Sequence, residues 1–237
     1  MFILEGGKNH LGKKTEAKKI LNFFLKSSID KITFMCQSQA WYERKYKEGN
    51  NFKLPKKFYL KALSLSHRKN KKVGLSVCDL KSFHNLDDIK FDFYKLLSIA
   101  INNEHLIRHL IKKNKTIYIS TGFNSSLKKI KKCLKILKKF KKKILLHTPM
   151  VARYDQLDFN KINYLKKRFN IHVGYSNHFF DMNTLSALSA YKPKVIMLYV
   201  KPTRKSNFIY PDHQHAVYLD EVEEIKLNYE NMVECHP

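Results

Sequence analysis

The residues best suited to chemistry stand where apolar runs stop. Ile171-His172-Val173-Gly174-Tyr175-Ser176-Asn177-His178 passes from an apolar segment through glycine into a hydroxyl, an amide and an imidazole. The pattern recurs: Glu5 follows Phe2-Ile3-Leu4, Ser76 follows Val73-Gly74-Leu75, and Lys95 and Ser98 lie within Phe93–Ser98. Ser120 closes Thr116-Ile117-Tyr118-Ile119, and His147 closes Lys143-Ile144-Leu145-Leu146. A lysine accompanied by short hydroxyl donors is the composition of a phosphate or carboxylate pocket. Lys95 sits in an apolar run, and a buried ammonium without a counter-charge is costly. It therefore calls for an anionic ligand or for a structural partner, Glu5 or Asp79. Taken singly, the serines would cap the helices that follow; taken together with Lys95, they describe an anion site.

These side chains have to be carried by strands that end at one common mouth. Strands are expected at Phe2–Leu4, Lys31–Phe34, Val73–Ser76, Phe93–Ser98, Thr116–Gly122, Lys143–Thr148, Ile171–Ser176 and Val195–Tyr199. Amphipathic helices are expected between them at Thr15–Lys26, Phe58–His67, Glu104–Lys113, Lys128–Lys143, Leu157–Phe169 and Met182–Tyr191, with a final acidic helix from Asp220 to about Tyr229. Trp41 to Phe58 reads as an irregular loop over the mouth, and Tyr210–His215 as a polar loop before the last helix. Strands alternating with helices give a parallel sheet, and eight such units close into a barrel. The predicted fold class is α/β, a single-domain (β/α)8 TIM barrel over residues 1–237. In it Glu5, Thr33, Ser76, Lys95, Ser98, Ser120, His147 and Ser176 face the same mouth.

Composition bounds the partners. The formal net charge is +26 and the pI about 9.8, which raises a polyanion as partner. Nearly all the basic excess is lysine, however; the arginines are Arg44, Arg68, Arg108, Arg153, Arg168 and Arg204. Recognition of phosphates and bases favours the arginine fork. The densest run, Lys128–Lys143, carries Ile130, Cys133, Leu134, Leu137 and Phe140 at helical spacing, so its lysines read as a solvated face. Nucleic acid is thus not the expected partner. No apolar run approaches the roughly 20 residues of a membrane helix, and the N-terminal residues lack the features of an export signal. Cys36, Cys78, Cys133 and Cys235 have no paired metal spacing, and reduced thiols fit a cytoplasmic protein.

In order along the chain, six motifs resemble the catalytic barrel of the N-acetylneuraminate (sialic acid) synthases. Leu4-Glu5-Gly6-Gly7-Lys8-Asn9-His10-Leu11-Gly12 resembles the family's Glu-Ile-Gly-x-Asn-His-x-Gly, and Tyr94-Lys95-Leu96-Leu97-Ser98 its Phe-Lys-Ile-Ala-Ser. Tyr118-Ile119-Ser120-Thr121-Gly122-Phe123 is similar to Ile-Leu-Ser-Thr-Gly-Met, and Leu145-Leu146-His147-Thr148 to Leu-Leu-His-Cys. Val173-Gly174-Tyr175-Ser176-Asn177-His178 resembles Val-Gly-Tyr-Ser-Asp-His, and Pro211-Asp212-His213 resembles Pro-Asp-His. The resemblance implies condensation of phosphoenolpyruvate with N-acetylmannosamine or a related amino sugar to a nine-carbon keto acid, with a divalent metal (manganese or magnesium) as cofactor. It implies that Ser76, Lys95, Ser98, Ser120 and Ser176 hold phosphoenolpyruvate and that His178 is a metal ligand. Asn9, His10 and Asp212 are implied substrate contacts, with Glu5, His178 and His213 as the catalytic candidates. A homodimer is also implied.

The departures from the pattern strip the metal and proton-transfer groups and largely spare the phosphate-binding ones. Thr33 stands at a family lysine, and Lys31, two residues lower on the same side of the strand, reaches the site poorly. Ile99-Ala100 replaces Gly followed by an acid. Ile196-Met197-Leu198-Tyr199-Val200 replaces Ile-Glu-Lys-His-Phe, so a carboxylate is lost and the second metal histidine becomes Tyr199. Met150-Val151-Ala152-Arg153 replaces Ser-Asn-Tyr-Pro, and the family's C-terminal antifreeze-like domain is expected to be absent. His213 and His215 with Asp212 could replace the lost ligand. The alternative to a condensing enzyme is a barrel that retains phosphate or carboxylate binding with altered or lost catalysis; a polyanion-binding role comes third.

Overall fold

The computed structural model describes residues 1–36, 52–122, 125–204 and 209–235. Eight parallel strands run in chain order: β1 (Phe2–Gly7), β2 (Lys31–Cys36), β3 (Lys72–Val77), β4 (Phe93–Leu96), β5 (Thr116–Ser120), β6 (Lys143–His147), β7 (Val173–Ser176) and β8 (Ile196–Lys201). Each pairs with the next, and β1 pairs with β8, which closes the sheet into the predicted barrel. Helices follow the strands: α1 (Lys14–Lys26), α2 (Lys56–His67), α3 (Leu80–His84), α4 (Glu104–Lys112), α5 (Leu127–Ile136), α6 (Asn160–Phe169), α7 (Thr184–Leu188) and, at the end, α8 (Val222–Glu234). No described helix is long and apolar enough to cross a membrane.

The period-2 alternation of the strands sorts their side chains into two cores. Ile3, Phe93, Tyr118, Leu146, Val195 and Met197 point inward and fill the lower barrel. Their strand neighbours, among them Leu4, Tyr94, Ile119, Leu145, Tyr175 and Leu198, point outward and pack against the helices. Gly174 on β7 is required by close approach. A Cβ there would lie 2.4 Å from Val195 Cγ1 and 2.7 Å from the Val195 carbonyl oxygen. Two residues further along each strand, the inward positions become polar, and these make the mouth.

Several expected boundaries move. The helix expected over Lys128–Lys143 stops at Ile136, because Leu137 leaves helical geometry and Phe140 closes a turn onto the Leu137 carbonyl. Its lysine face is exposed at Lys128, Lys131, Lys132 and Lys135, as the spacing predicts. The fourth strand ends at Leu96, and Ser98 opens a 3-10 turn over Ser98–Ala100. Most of the loop expected over Trp41–Phe58 lies outside the described residues, as does Phe123; its last part, Lys56–Phe58, is instead the first turn of α2. Two short elements had no expectation: α3, whose Asp79 cap accepts from the Ser82 N–H at 2.6 Å, and β9 (Val217–Tyr218), which extends β8 alongside Val200 and Lys201.

Overpacking a filled core costs about 1–3 kcal/mol. Gly174→Ala, which meets a backbone carbonyl that cannot swing away, is expected to lower the melting temperature by several degrees in thermal denaturation. An unchanged melting temperature would contradict the inward packing described for β7.

Candidate active site at the carboxyl ends of the strands

The centre of the mouth is an ion pair between β1 and β4. Lys95 Nζ donates to Glu5 Oε2 at 3.2 Å, with both side chains fully buried. Glu5 points inward by alternation from Ile3, and a register shift in β1 follows it between Glu5 and Gly7. Its other oxygen, Oε1, accepts from the Gly7 N–H at 3.0 Å. Ser76 donates to Glu5 Oε2 at 2.7 Å. With its one hydrogen spent, Ser76 accepts from Thr33, 3.0 Å away. Burial pushes the Glu5 carboxyl above its usual range, against the opposing pull of Lys95, Ser76 and the Gly7 amide.

Lys95 is also within reach of two hydroxyls, Ser176 Oγ at 3.4 Å and Tyr199 OH at 3.2 Å. The three donors of the ammonium thus have three acceptors. Tyr199 and Ser176 accept from Lys95, and each keeps its own hydrogen to donate. The result is a pair of hydroxyl donors backed by a buried cation, which suits an oxyanion. Burial first, with Glu5 and Asp212 adding to it, holds the Tyr199 hydroxyl well above the usual tyrosine range, so it stays protonated.

A second group of hydroxyls lies across β4, β5 and β6. Ser120 and Thr148 share a hydrogen bond of 2.9 Å. A Cβ on Gly122 would come within 3.4 Å of Ser98 Oγ, 3.2 Å of Thr148 and 3.1 Å of Met150, so Ser98 and Thr148 flank the same glycine. The side formed by β1 and the loop after β8 is tied by Asn9, whose amide donates to the Val200 carbonyl at 2.8 Å and accepts from the Asp212 N–H at 3.1 Å. Gly7 has φ of +48°, and a Cβ there would sit 2.8 Å from Asp212 Oδ2. Only glycine serves at that point, on conformation and on space.

The imidazoles occupy the remaining corner. His178 stacks on His215 with centroids 4.6 Å apart and planes 29° from parallel. Tyr199 stands edge-on to both rings, 4.8 Å from His178 and 4.9 Å from His215. His178 Nδ1 faces the Ser176 carbonyl at 3.2 Å. Burial, reinforced by His215 and Lys95, pulls the His178 pKa well below its ordinary value. His215 is likewise lowered, chiefly by burial. His10 is fully buried, accepts from the Gly12 N–H through Nδ1 at 3.0 Å, and is pushed down to about 3 by burial.

The structure therefore brings together Glu5, Ser76, Lys95, Ser176 and Tyr199 in one network, with Asn9, Asp212 and His178 around it and Ser98 and Ser120 on the β4–β6 side. Lys31 stays below this level, its amine 3.2 Å from Tyr118 OH. Two expected positions are corrected. His147 does not face the mouth: Ile144 and Leu146 are the inward residues of β6, so His147 points outward and its ring lies against Tyr175 at 5.9 Å. Thr148 takes the inward place. The His213 side chain is exposed, and its backbone is what is engaged: the N–H donates to the Tyr210 carbonyl at 3.0 Å and the carbonyl accepts from Lys201 Nζ at 3.0 Å. His215, two residues on, is the imidazole that enters the site. Strand parity counted from Ile144 would have found Thr148, but nothing in the sequence chose between His213 and His215.

A model of the NeuB family matches residues 17–235. The chain belongs to the NeuB family. Among curated proteins it is 28% identical to an N,N'-diacetyllegionaminic acid synthase of Campylobacter jejuni subsp. jejuni, over 96% of this chain and 73% of that protein. It is 26% identical to a pseudaminic acid synthase of the same species, over 64% of this chain and 45% of that protein. Among solved structures, an N-acetylneuraminic acid synthetase from Leptospira borgpetersenii serovar Hardjo-bovis in complex with citrate superposes with a TM-score of 0.87 at 21% identity. That match covers 99% of this chain and 84% of the other, and it shows the shared fold.

The divalent ion implied by the NeuB resemblance meets a donor set that does not fit it. Tyr199 replaces the second family ligand, and its hydroxyl is engaged with Lys95. Among the described residues, no three His, Cys, Asp or Glu side chains are gathered as an ion would need.

The buried histidines give the fold a pH dependence of definite sign. His10 titrates near 6.5 when unfolded and at about 3 when folded, so the unfolded chain takes up the proton first as pH falls. Its contribution to stability is present above about pH 6.5 and is lost as pH drops toward 3; His147, lowered to about 4, acts in the same direction. Melting temperatures are expected to fall between pH 6.5 and 4, and to fall less in His10→Gln. An equal slope in that variant would contradict the assignment.

Proposed function

We propose that this NeuB-family barrel is a sugar-acid synthase that binds phosphoenolpyruvate and joins it to the aldehyde form of an N-acetylated amino sugar. The observation that carries the reading is Lys95, buried on the inner wall and donating to the Ser176 and Tyr199 hydroxyls, which keep their own hydrogens for a ligand. The names of the relatives, synthases of legionaminic and pseudaminic acids, support the same class of product. Phosphoenolpyruvate carries a phosphate and a carboxylate, the two anions that such a cradle of cation and hydroxyls suits. Its nucleophilic C3 would attack the sugar aldehyde carbon. The aldehyde oxygen gains a proton as the carbon–carbon bond forms, water adds at C2, and inorganic phosphate departs to leave a 2-keto acid.

Proton transfer in this scheme falls to groups on the inner wall. Glu5, held above the usual carboxylate range by burial, is a carboxyl able to carry a proton at the heart of the network. Tyr199 stays protonated and serves as a hydrogen-bond donor to the developing alkoxide. Ser98 and Ser120 complete the anion cradle on the β4–β6 side. A second reading, ligand binding without turnover, is favoured by Ala100: it is buried at the place where the resemblance calls for an acid.

Phosphate release from phosphoenolpyruvate in the presence of N-acetylmannosamine and its diacetylated analogues tests the reading, with the product identified by mass. The synthase reading expects a keto acid three carbons longer than the sugar, and loss of release in Lys95→Met. Release that persists in that variant would contradict the assigned cradle. Binding without release by the parent chain would favour the second reading.

A further inference from the structure

The other end of the barrel carries a cavity that the proposed reaction does not use. Lys141 precedes β6 and Lys143 opens it, while Asn170, Ile171 and His172 lead into β7. With Lys166 of α6 these residues line a space of about 510 Å³. It lies at the amino ends of the parallel strands, away from the mouth at their carboxyl ends. We infer that this cavity is a second ligand site, which binds the linked phosphates of a small molecule: a nucleoside polyphosphate or free pyrophosphate.

Three observations carry it. The first is that two ammonium groups are held in place with donors left over. Lys166 Nζ donates to the Tyr191 and Lys192 carbonyls at 2.8 and 3.2 Å, which leaves one of its three hydrogens. Lys143 Nζ donates to the Phe140 carbonyl, and two hydrogens remain. A cation already fixed by the fold loses little freedom when a ligand arrives.

The second observation is the charge around the cavity. No Asp or Glu occurs between Glu104 and Asp155. Asp155 and Asp158 follow β6 and Asp181 follows β7, so all three stand at the mouth end. Asp155 pairs there with Arg153, and Asp181 accepts from Tyr154. On α8, which packs against the Ser189–Tyr191 turn, Glu230 pairs with Lys226 and Glu223 accepts from Ser28. Among the described residues no carboxylate pairs with Lys141, Lys143 or Lys166, and burial alone draws the last two below the usual lysine range. The carboxyl ends of α5 and α6 point to this end of the barrel, each with about half a negative charge. Three ammonium groups outweigh them, and the net field attracts an anion.

The third observation is the rest of the lining. Asn170 has φ of +47°, the left-handed turn that ends α6. The Leu145 N–H then donates to the His172 carbonyl at 3.0 Å, which holds the two turns side by side. Among the described residues the Lys141, Asn170 and His172 side chains make no hydrogen bond or ion pair, so their polar groups are open to a ligand. Half-buried Ile171 adds an apolar surface suited to a ribose or a base. The volume falls in the roughly 300–1,000 Å³ range of small-molecule sites and exceeds what a single phosphate fills.

The test titrates the full chain by calorimetry in EDTA with ATP, pyrophosphate and inorganic phosphate, at low and at physiological salt. The inference expects one saturable site per chain for ATP or pyrophosphate, with the dissociation constant raised about tenfold in Lys141→Glu and in His172→Glu. Both positions are exposed with no partner to lose, so neither variant depends on refolding. Two controls locate the site. Lys131→Glu makes the same charge change on the exposed face of α5, and Glu5→Gln combined with Lys95→Met removes the cation of the mouth. Neither control is expected to shift the dissociation constant by more than about twofold. Tighter binding of ATP than of pyrophosphate assigns the nucleoside source; equal or tighter binding of pyrophosphate assigns the free one. Absence of a saturable site, or equal affinity for inorganic phosphate, would overturn the inference. So would an equal loss in Lys131→Glu, which makes the effect one of general surface charge, or loss in the mouth variant, which places the ligand at the other end.

Discussion

The mouth of this barrel depends on one buried ion pair. Lys95 and Glu5 stand on strands separated by β2 and β3, and neither reaches solvent. A lone charge in that position would cost several kilocalories per mole, so each side chain is tolerable only because of the other. Around the pair, every nearby polar group is oriented by what it must supply. Ser76 and the Gly7 amide donate to the carboxylate, while Ser176 and Tyr199 accept from the ammonium. Alternation along β1 turns the carboxylate inward, and the Gly7 amide, just past the register shift, holds it there. The same tight fit places Asp212 against Gly7, and so the loop after β8 is positioned by the first strand.

The energetics divide the mouth into two regions. On the β3–β7 side, hydroxyls backed by Lys95 form a surface that welcomes negative charge. On the β7–β8 side, two neutral histidines and a protonated tyrosine pack as an aromatic corner under the influence of several lysines. Of the substitutions that separate this chain from the pattern it resembles, those on β8 fall in the second region, and their physical effects agree. Tyrosine for histidine removes an in-plane lone pair, and methionine and leucine at Met197 and Leu198 remove charge from a strand that is fully buried. The proposed anion-binding half of the chemistry therefore rests on different residues from the half that would hold a cation.

Much of this was legible in the sequence because barrel strands obey parity. Alternation placed Glu5, Ser76, Lys95, Ser120 and Ser176 on the inner wall, and the glycine before each polar residue of β3 and β7 marked a strand that must approach a bulky neighbour: Phe93 at Gly74 and Val195 at Gly174. Parity misapplied explains His147, since its motif drew attention to the imidazole while Ile144 and Leu146 already claimed the inward positions. Loops carry no such period. Tyr210–His215 presents two histidines two residues apart, and turns onto Tyr210 and Asp212 decide that His215 faces in and His213 out. The partner of Lys95 was legible only as a choice between Glu5 and Asp79, because Asp79 could equally cap a helix, and that is what it does.

The most direct test of the account is a double-mutant cycle on the central pair, Glu5→Gln and Lys95→Met, read by chemical denaturation. Breaking a buried pair from one side costs about 3–5 kcal/mol, whereas replacing both charges is close to neutral. The account predicts two strongly destabilised single variants and a double variant that recovers most of the loss. Single variants of near-parental stability, or a double variant whose loss is the sum of the two, would contradict the claim that this pair organises the mouth.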